Sequence, residues 1–201
     1  MPHTVFVLGG TGLIGRFILD TFLAKGHTMV AYSGSISSTP RAMTKLLLRY
    51  VQSRVVMSSV GPVDGRGHEV GSIAKGYNVL AKAMKETRIQ KMYALGTFSY
   101  LVPEDAFSFG RTAIVGMVGA LSPAAKAEFI EIAKVFNEGN TIEGLDLVVY
   151  RFGMLKDFTA GYVGGAEISS GIARSSIAAW LLEQVKQDSK QWAKKLPYIS
   201  T

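Results

Sequence analysis

Near the amino terminus, Gly9-Gly10-Thr11-Gly12-Leu13-Ile14-Gly15 sets glycines at the spacing that brings main chain against an anion. Gly-x-x-Gly-x-x-Gly permits a tight turn, an unobstructed approach of backbone to phosphate oxygens, and close packing of a following helix on a preceding strand. A helix opening at such a turn offers free N–H groups and a partial positive charge to a pyrophosphate. Further along, Thr97, Tyr100 and Tyr162 carry hydroxyls that can hydrogen-bond or protonate a carbonyl, Lys126 an ammonium that can orient a carboxylate, and Glu104-Asp105 a pair of acids. Each also has a plainer role: a threonine turning the end of a strand, tyrosines that pack, a lysine on an exposed helix face, acids that open a helix after Pro103. Arg151 ends a strand and is expected to pair structurally with a carboxylate or carbonyl.

The elements that position these residues read clearly from the apolar pattern. Val5–Leu8 is a short apolar run of the buried parallel-strand kind. Leu13, Ile14, Phe17, Ile18, Phe22 and Leu23 recur at helical spacing behind it, and Gly26 ends the pattern. Thr28–Tyr32 supplies a second strand, completing a strand, turn, helix, strand unit. A helical face follows over residues 42–51, then a strand at 54–58 that stops at Gly61-Pro62, a helix at about 71–86 and a strand at 91–95. Ser122-Pro123 caps a helix to about Asn137, 145–150 is another strand, and 175–186 a last helix. The run 107–121, rich in apolar residues and glycine, is open between a lid over a substrate, core, and a dimer contact.

This alternation predicts an α/β fold of the Rossmann type, a doubly wound, mainly parallel sheet with right-handed crossovers, binding its ligand at the carboxyl ends of the strands. The second crossover is short. Between Tyr32 and Arg54 there is room for one helix only, so the third strand of the usual 3-2-1-4-5-6 order is expected to be missing and the second strand to become an edge. In such a site an acid about 20 residues after the glycine turn binds the ribose of NAD, whereas arginine or open space accepts the 2′-phosphate of NADP. From Thr21 to Val63 there is no Asp or Glu, but Arg41, Lys45, Arg49 and Arg54 are present, which favours NADP(H) over NAD(H). The candidate cofactor-binding set is Gly9, Thr11, Gly12, Leu13, Ile14, Gly15, Ser33, Ser35, Arg41, Ser59, Gly61, Gly96 and Gly153; the candidate catalytic set is Thr97, Tyr100, Lys126 and Tyr162.

The glycine motif at this position resembles that of the atypical short-chain dehydrogenase/reductases, in the NAD(P)-binding group that includes NmrA-like proteins and flavin or biliverdin reductases. Residues 78–96 resemble that group's helix, strand and Gly-Thr loop, residues 145–153 its strand ending in Arg-x-Pro, and residues 160–164 a substrate-side loop. Two departures stand out. The short-chain reductases' Tyr-x-x-x-Lys, in which lysine lowers the tyrosine pKa for proton exchange with a carbonyl, has no counterpart: Ser122 stands four residues before Lys126. Gly153 replaces the proline after the sixth strand.

A chain of 201 residues with 48% hydrophobic side chains suits one domain, residues 1–201, with a core of its own. The absence of cysteine excludes disulfides, thiolate metal sites and a cysteine nucleophile. His3, His27 and His68 are too dispersed for a zinc motif, so no metal is expected. No apolar run approaches the ~18 residues of a membrane span and no signal-type leader is evident, so a cytoplasmic protein without a membrane partner is expected. The formal charge of +7 comes without an interleaved basic and aromatic stretch, and no nucleic-acid partner is expected; self-association as a homodimer stays open. The leading functional expectation is an NADPH-dependent oxidoreductase of a small apolar, cyclic or aromatic substrate. The alternatives are a non-redox isomerase, epimerase, cyclase or lyase of secondary metabolism on the same fold, and an NADP-sensing regulator.

Overall fold

The computed structural model describes residues 2–33, 40–49, 53–62, 69–138, 144–153, 159–161, 172–187 and 191–200. In chain order the elements are β1 (Thr4–Leu8), α1 (Leu13–Leu23), β2 (Thr28–Tyr32), α2 (Pro40–Arg49), β3 (Ser53–Ser58), α3 (Ser72–Thr87), β4 (Lys91–Thr97), α4 (Phe109–Leu121), α5 (Pro123–Glu138), β5 (Asp146–Phe152), β6 (Thr159–Gly161), α6 (Arg174–Lys186) and β7 (Tyr198–Ser200). One sheet holds all the strands in the order β2-β1-β3-β4-β5-β7-β6. Every pairing is parallel except that of β6 with β7.

Helices on both faces explain why the central strands are apolar without alternation. Val5 to Leu8 have no exposed surface at all. Successive side chains of each strand point to opposite faces. Val5, Val7, Met57 and Tyr150 therefore pack toward the core shared with α1 and α6, and Phe6, Leu8, Val56 and Val149 toward that of α2, α3 and α5. In α1, Ile18 and Phe22 are four residues apart and wholly buried, and they share a core with Ile177, Leu181 and Val185, spaced four residues apart along α6.

The chain passes from β2 through α2 directly to β3, which pairs with β1 on its other side, so β2 lies at the end of the sheet as the short crossover predicts. The segment left open between lid, core and dimer contact forms α4, whose N-cap Ser108 accepts the Arg111 N–H at 3.3 Å. None of the α4 residues is buried, which removes core from the three alternatives. Two short strands, β6 and β7, extend the sheet beyond β5 and were not anticipated from the sequence.

Candidate nucleotide-binding site

The residues between β1 and α1 are compressed from three sides. Gly9 adopts φ +75°, and its N–H donates to the Tyr32 carbonyl at 3.2 Å. The Gly12 N–H donates to the Gly9 carbonyl at 2.9 Å, closing the turn. A Cβ on Gly15 would overlap the Gly9 carbonyl oxygen and lie 2.7 Å from Gly10 Cα, so only glycine lets the first turn of α1 seat against the loop. A Cβ on Gly10 would lie 3.1 Å from Ala31 Cβ of β2.

This compression leaves the helix start open. Gly12 is the N-cap of α1 and supplies no side-chain acceptor, and the first turn carries no acid. Thr11, Gly12 and Leu13 are exposed. Among the described residues no side chain caps the first N–H groups of this helix, and a phosphate oxygen has the charge and lone pairs such groups need. The start of α3 is different, because the chain fills it. Glu128 of α5, fully buried, accepts from the N–H groups of Gly71 at 2.5 Å, Ile73 at 3.0 Å and Ala74 at 3.0 Å. An internal carboxylate thus holds the anion position of α3, while that of α1 remains available.

Ser59, at the end of β3, is spent on the turn itself. Its Oγ donates toward the carbonyls of Gly9 at 3.0 Å and Leu8 at 3.3 Å, and its N–H donates to Leu8 at 3.0 Å. Behind it lies a buried network that the sequence did not suggest. The Tyr77 hydroxyl donates to Ser58 Oγ at 2.7 Å, the Tyr150 hydroxyl donates to the Ser58 carbonyl at 3.0 Å, and Ser58 Oγ accepts the Val60 N–H at 3.3 Å. Burial pushes both phenols far above their ordinary range, so they stay protonated as fixed donors that hold the β3 end beside the glycine turn. The one available signal was a pair of serines closing an apolar strand.

Two glycines nominated for the cofactor answer to other constraints. A Cβ on Gly96 would lie 2.6 Å from Val149 Cγ1 and 3.4 Å from Arg151 Cγ, so this glycine makes room for β5. A Cβ on Gly61 would lie 3.1 Å from Phe129 of α5. Gly153 is half-buried, and its backbone hydrogen bond together with the Arg151 charge opposes the burial that pushes Tyr198 up to about 12. Ser33 is exposed just past β2. Ser35, Tyr162 and the side chain of Arg41 lie outside the described residues.

Among the described residues, Tyr100 and Lys126 do not converge. Thr97 is half-buried, and its Oγ1 accepts the Ser99 N–H at 3.4 Å, the strand-end turn weighed as its plainer role. The Tyr100 hydroxyl accepts from Asn137 Nδ2 at 3.0 Å near the carboxyl end of α5. Lys126 lies near the opposite end of that helix, about 16 Å away along its axis at 1.5 Å per residue. Its Nζ and Cδ lie 3.1 and 3.2 Å from where a Cβ on Gly119 of α4 would stand. Tyr100 and Lys126 therefore form no tyrosine–lysine pair.

Arg151 is wholly buried and structural. It donates from Nη1 and Nη2 to the two oxygens of Asp105, at 2.6 and 2.8 Å, from Nε to the Leu196 carbonyl at 2.7 Å, and from Nη1 to the Tyr100 carbonyl at 2.7 Å. Asp105, whose side chain is also fully buried, accepts from the Val102 N–H as well. Of the acid pair in the sequence, Asp105 therefore tethers the loop after β4 to β5 while Glu104 is exposed, and the pair does not open a helix. Among the described residues no group of three or more His, Asp or Glu is placed to hold a metal ion.

No family model matches the sequence, and no curated protein matches it. Solved structures match over almost the whole chain. An oxidoreductase from Lactococcus lactis, ylbE, superposes with a TM-score of 0.70 at 17% identity, covering 98% of this chain and 90% of that one. A short-chain dehydrogenase/reductase from Veillonella parvula, in complex with NADP, gives 0.71 at 14% identity, covering 100% and 95%. ChuY, an anaerobillin reductase from Escherichia coli O157:H7, gives 0.67 at 13% identity, covering 98% and 96%. The chain shares the α/β, Rossmann-type fold of these structures, with the glycine turn at the carboxyl end of its first strand.

Proposed function

We propose that the protein binds NADP(H) along the turn from Gly9 to Gly15 and catalyses hydride transfer with a small apolar, cyclic or aromatic substrate. The observation that carries this reading is the uncapped start of α1, held open by a glycine loop too tightly packed to tolerate any side chain at Gly15, while the start of α3 is filled by Glu128. Backbone N–H groups of Leu13, Ile14 and Gly15 take the pyrophosphate. The lack of any acid between Thr21 and Val63 supports NADP(H) over NAD(H), with Ser33, Ser35 and Arg41 on the 2′-phosphate side. The position of Thr97 and Gly153 at the carboxyl ends of β4 and β5 supports a nicotinamide side there. When bound, the cofactor supplies the hydride. The matching proton comes from solvent or a loop tyrosine, since no tyrosine stands four residues before Lys126. The NADP complex of the Veillonella parvula neighbour supports the cofactor class.

One observation favours a second reading. The lysine that ordinarily serves a catalytic tyrosine lies over Gly119 without one, an arrangement also suited to an isomerase, epimerase, cyclase or lyase that retains the nucleotide turn. NADPH oxidation followed at its absorbance band with a panel of flavins, quinones and enones decides between the two. Turnover with at least one acceptor supports the oxidoreductase. Tight NADPH binding without turnover on any acceptor would overturn it in favour of the non-redox or NADP-sensing reading.

A further inference from the structure

Helix α4 turns an apolar face outward. Over residues 109–121 a turn of 100° per residue puts Phe109, Ala113, Gly116, Met117 and Leu121 on one stripe, with Val115 on the opposite side and Ile114 at the stripe's margin, both packed against Phe98 and Tyr198. Phe107 continues the stripe, its ring 4.8 Å from that of Phe109 and nearly perpendicular to it. Phe107 is 74% exposed, Phe109 82%, Met117 52% and Leu121 79%. At the usual area of an aromatic side chain the two phenyls alone present about 300 Å². With Met117 and Leu121 the apolar stripe is on the order of 500 Å², more than half of the roughly 800 Å² each partner buries in a standard interface. Monomers rarely leave a contiguous apolar patch of that size in water.

The charge distribution selects the occupant. The chain carries +7, so two copies repel on balance through their charged surfaces. The α4 helix holds no carboxylate, and its single cation, Arg111, is turned inward, with Nε on the Phe98 carbonyl at 2.8 Å. The outer face therefore offers neither attraction to a charged partner nor repulsion of a like copy. A helix that lies on an anionic lipid surface carries lysines and arginines on its polar face, and α4 has none there. Ala113 and Gly116 lie between the larger Phe109 and Leu121 with Met117 beside them, and nothing lies within 4 Å of a Cβ at Gly116. The stripe is thus self-complementary about a two-fold axis near Gly116, with the Phe109 end of one copy against the Leu121 end of the other.

We propose that α4 is the contact of a two-fold homodimer formed by a second copy of this chain. Because the chain has no cysteine, Gly116→Cys introduces a unique thiol beside its own symmetry mate. Sedimentation over a micromolar concentration series is expected to give about twice the 21.7 kDa chain mass for the wild type, and the monomer mass for Met117→Lys at an unchanged melting temperature. Mild oxidation is expected to crosslink Gly116→Cys, and to leave Lys82→Cys, on an exposed position of α3, uncrosslinked. A monomer throughout the series, or a dimer indifferent to Met117→Lys, would overturn the proposal. So would a monomer that cofloats with phosphatidylcholine vesicles, which would assign the stripe to a lipid surface.

Discussion

Replacing Arg151 with methionine keeps an unbranched apolar stem and removes four hydrogen bonds at once: two to Asp105, one to the Leu196 carbonyl and one to the Tyr100 carbonyl. Both members of the ion pair are fully buried, so the carboxylate left behind has no water to turn to. Removing one partner of such a pair costs about 3 to 5 kcal/mol, a large share of the 5 to 15 kcal/mol that holds a domain together. At roughly 2 to 4 °C per kcal/mol for a chain of this size, the melting temperature is expected to fall by about 6 to 20 °C. Asp105→Leu is expected to cost a similar amount, because it strands the guanidinium. The double variant strands no charge but still leaves the Leu196 and Tyr100 carbonyls and the Val102 N–H without their donors or acceptor, so it remains less stable than the wild type. It is nevertheless expected to lie about 2 kcal/mol or more above the sum of the two single losses. Urea unfolding of the four proteins yields this cycle. Additivity within about 0.5 kcal/mol would refute the reasoning, since it would mean that the two side chains do not act on one another.

Glu128→Ala strips the start of α3 of its acceptor for three N–H groups and is expected to cost about 2 to 4 kcal/mol in urea unfolding, with hydrogen exchange accelerating first at Gly71, Ile73 and Ala74; slow exchange there would contradict the cap. Stability should also depend on His27, whose pKa is lowered from 6.5, first by burial and then by the nearby charges of His3, the amino terminus and Lys186. A base whose native pKa lies below its unfolded one binds more protons when unfolded, so this contribution is present above pH 6.5 and is lost as pH falls through 6.5 toward the native value. Protonation also displaces the His3 N–H that His27 Nδ1 accepts at 3.1 Å. The difference in unfolding free energy between wild type and His27→Asn should shrink across that interval, and a difference that is flat with pH would contradict it.

The turn and the sheet that carries it were legible because their constraints are local. An apolar run, glycines at a fixed spacing and a helical repeat lie within 28 residues of one another, and β1, α1 and β2 follow the expected pattern. The missing third strand was legible as a matter of chain length. Helix α4 was hidden because Gly110, Gly116 and Gly119 lower helix propensity and its apolar residues continue through the run without a polar stripe. Strands β6 and β7, three residues each, owe their existence to pairing with one another and with β5, which no local signal carries.

The site was half legible for the same reason. Arg151 behaves as a strand-end arginine is expected to, but its carboxylate partner, 46 residues earlier, emerges only once the loop after β4 folds back. Gly96 suggested an approach for a ligand, whereas the group that needs the space is Val149 on the adjoining strand. Glu128, Tyr77 and Tyr150 look like ordinary helix and core residues until α3, α5 and the end of β3 are brought together.

The central claim, that the open start of α1 receives the phosphates of a nicotinamide cofactor, is tested most directly by titrating NADPH fluorescence against wild type and Gly12→Asp. Aspartate is a favourable N-cap, which offsets the 3.2 Å approach of its Cβ to the Gly9 carbonyl oxygen, while its own carboxylate takes the N–H groups and repels the pyrophosphate. Saturable binding by the wild type, abolished in a fully folded Gly12→Asp, is the predicted result. No binding by the wild type at millimolar NADPH, or undiminished affinity in the variant, would contradict it.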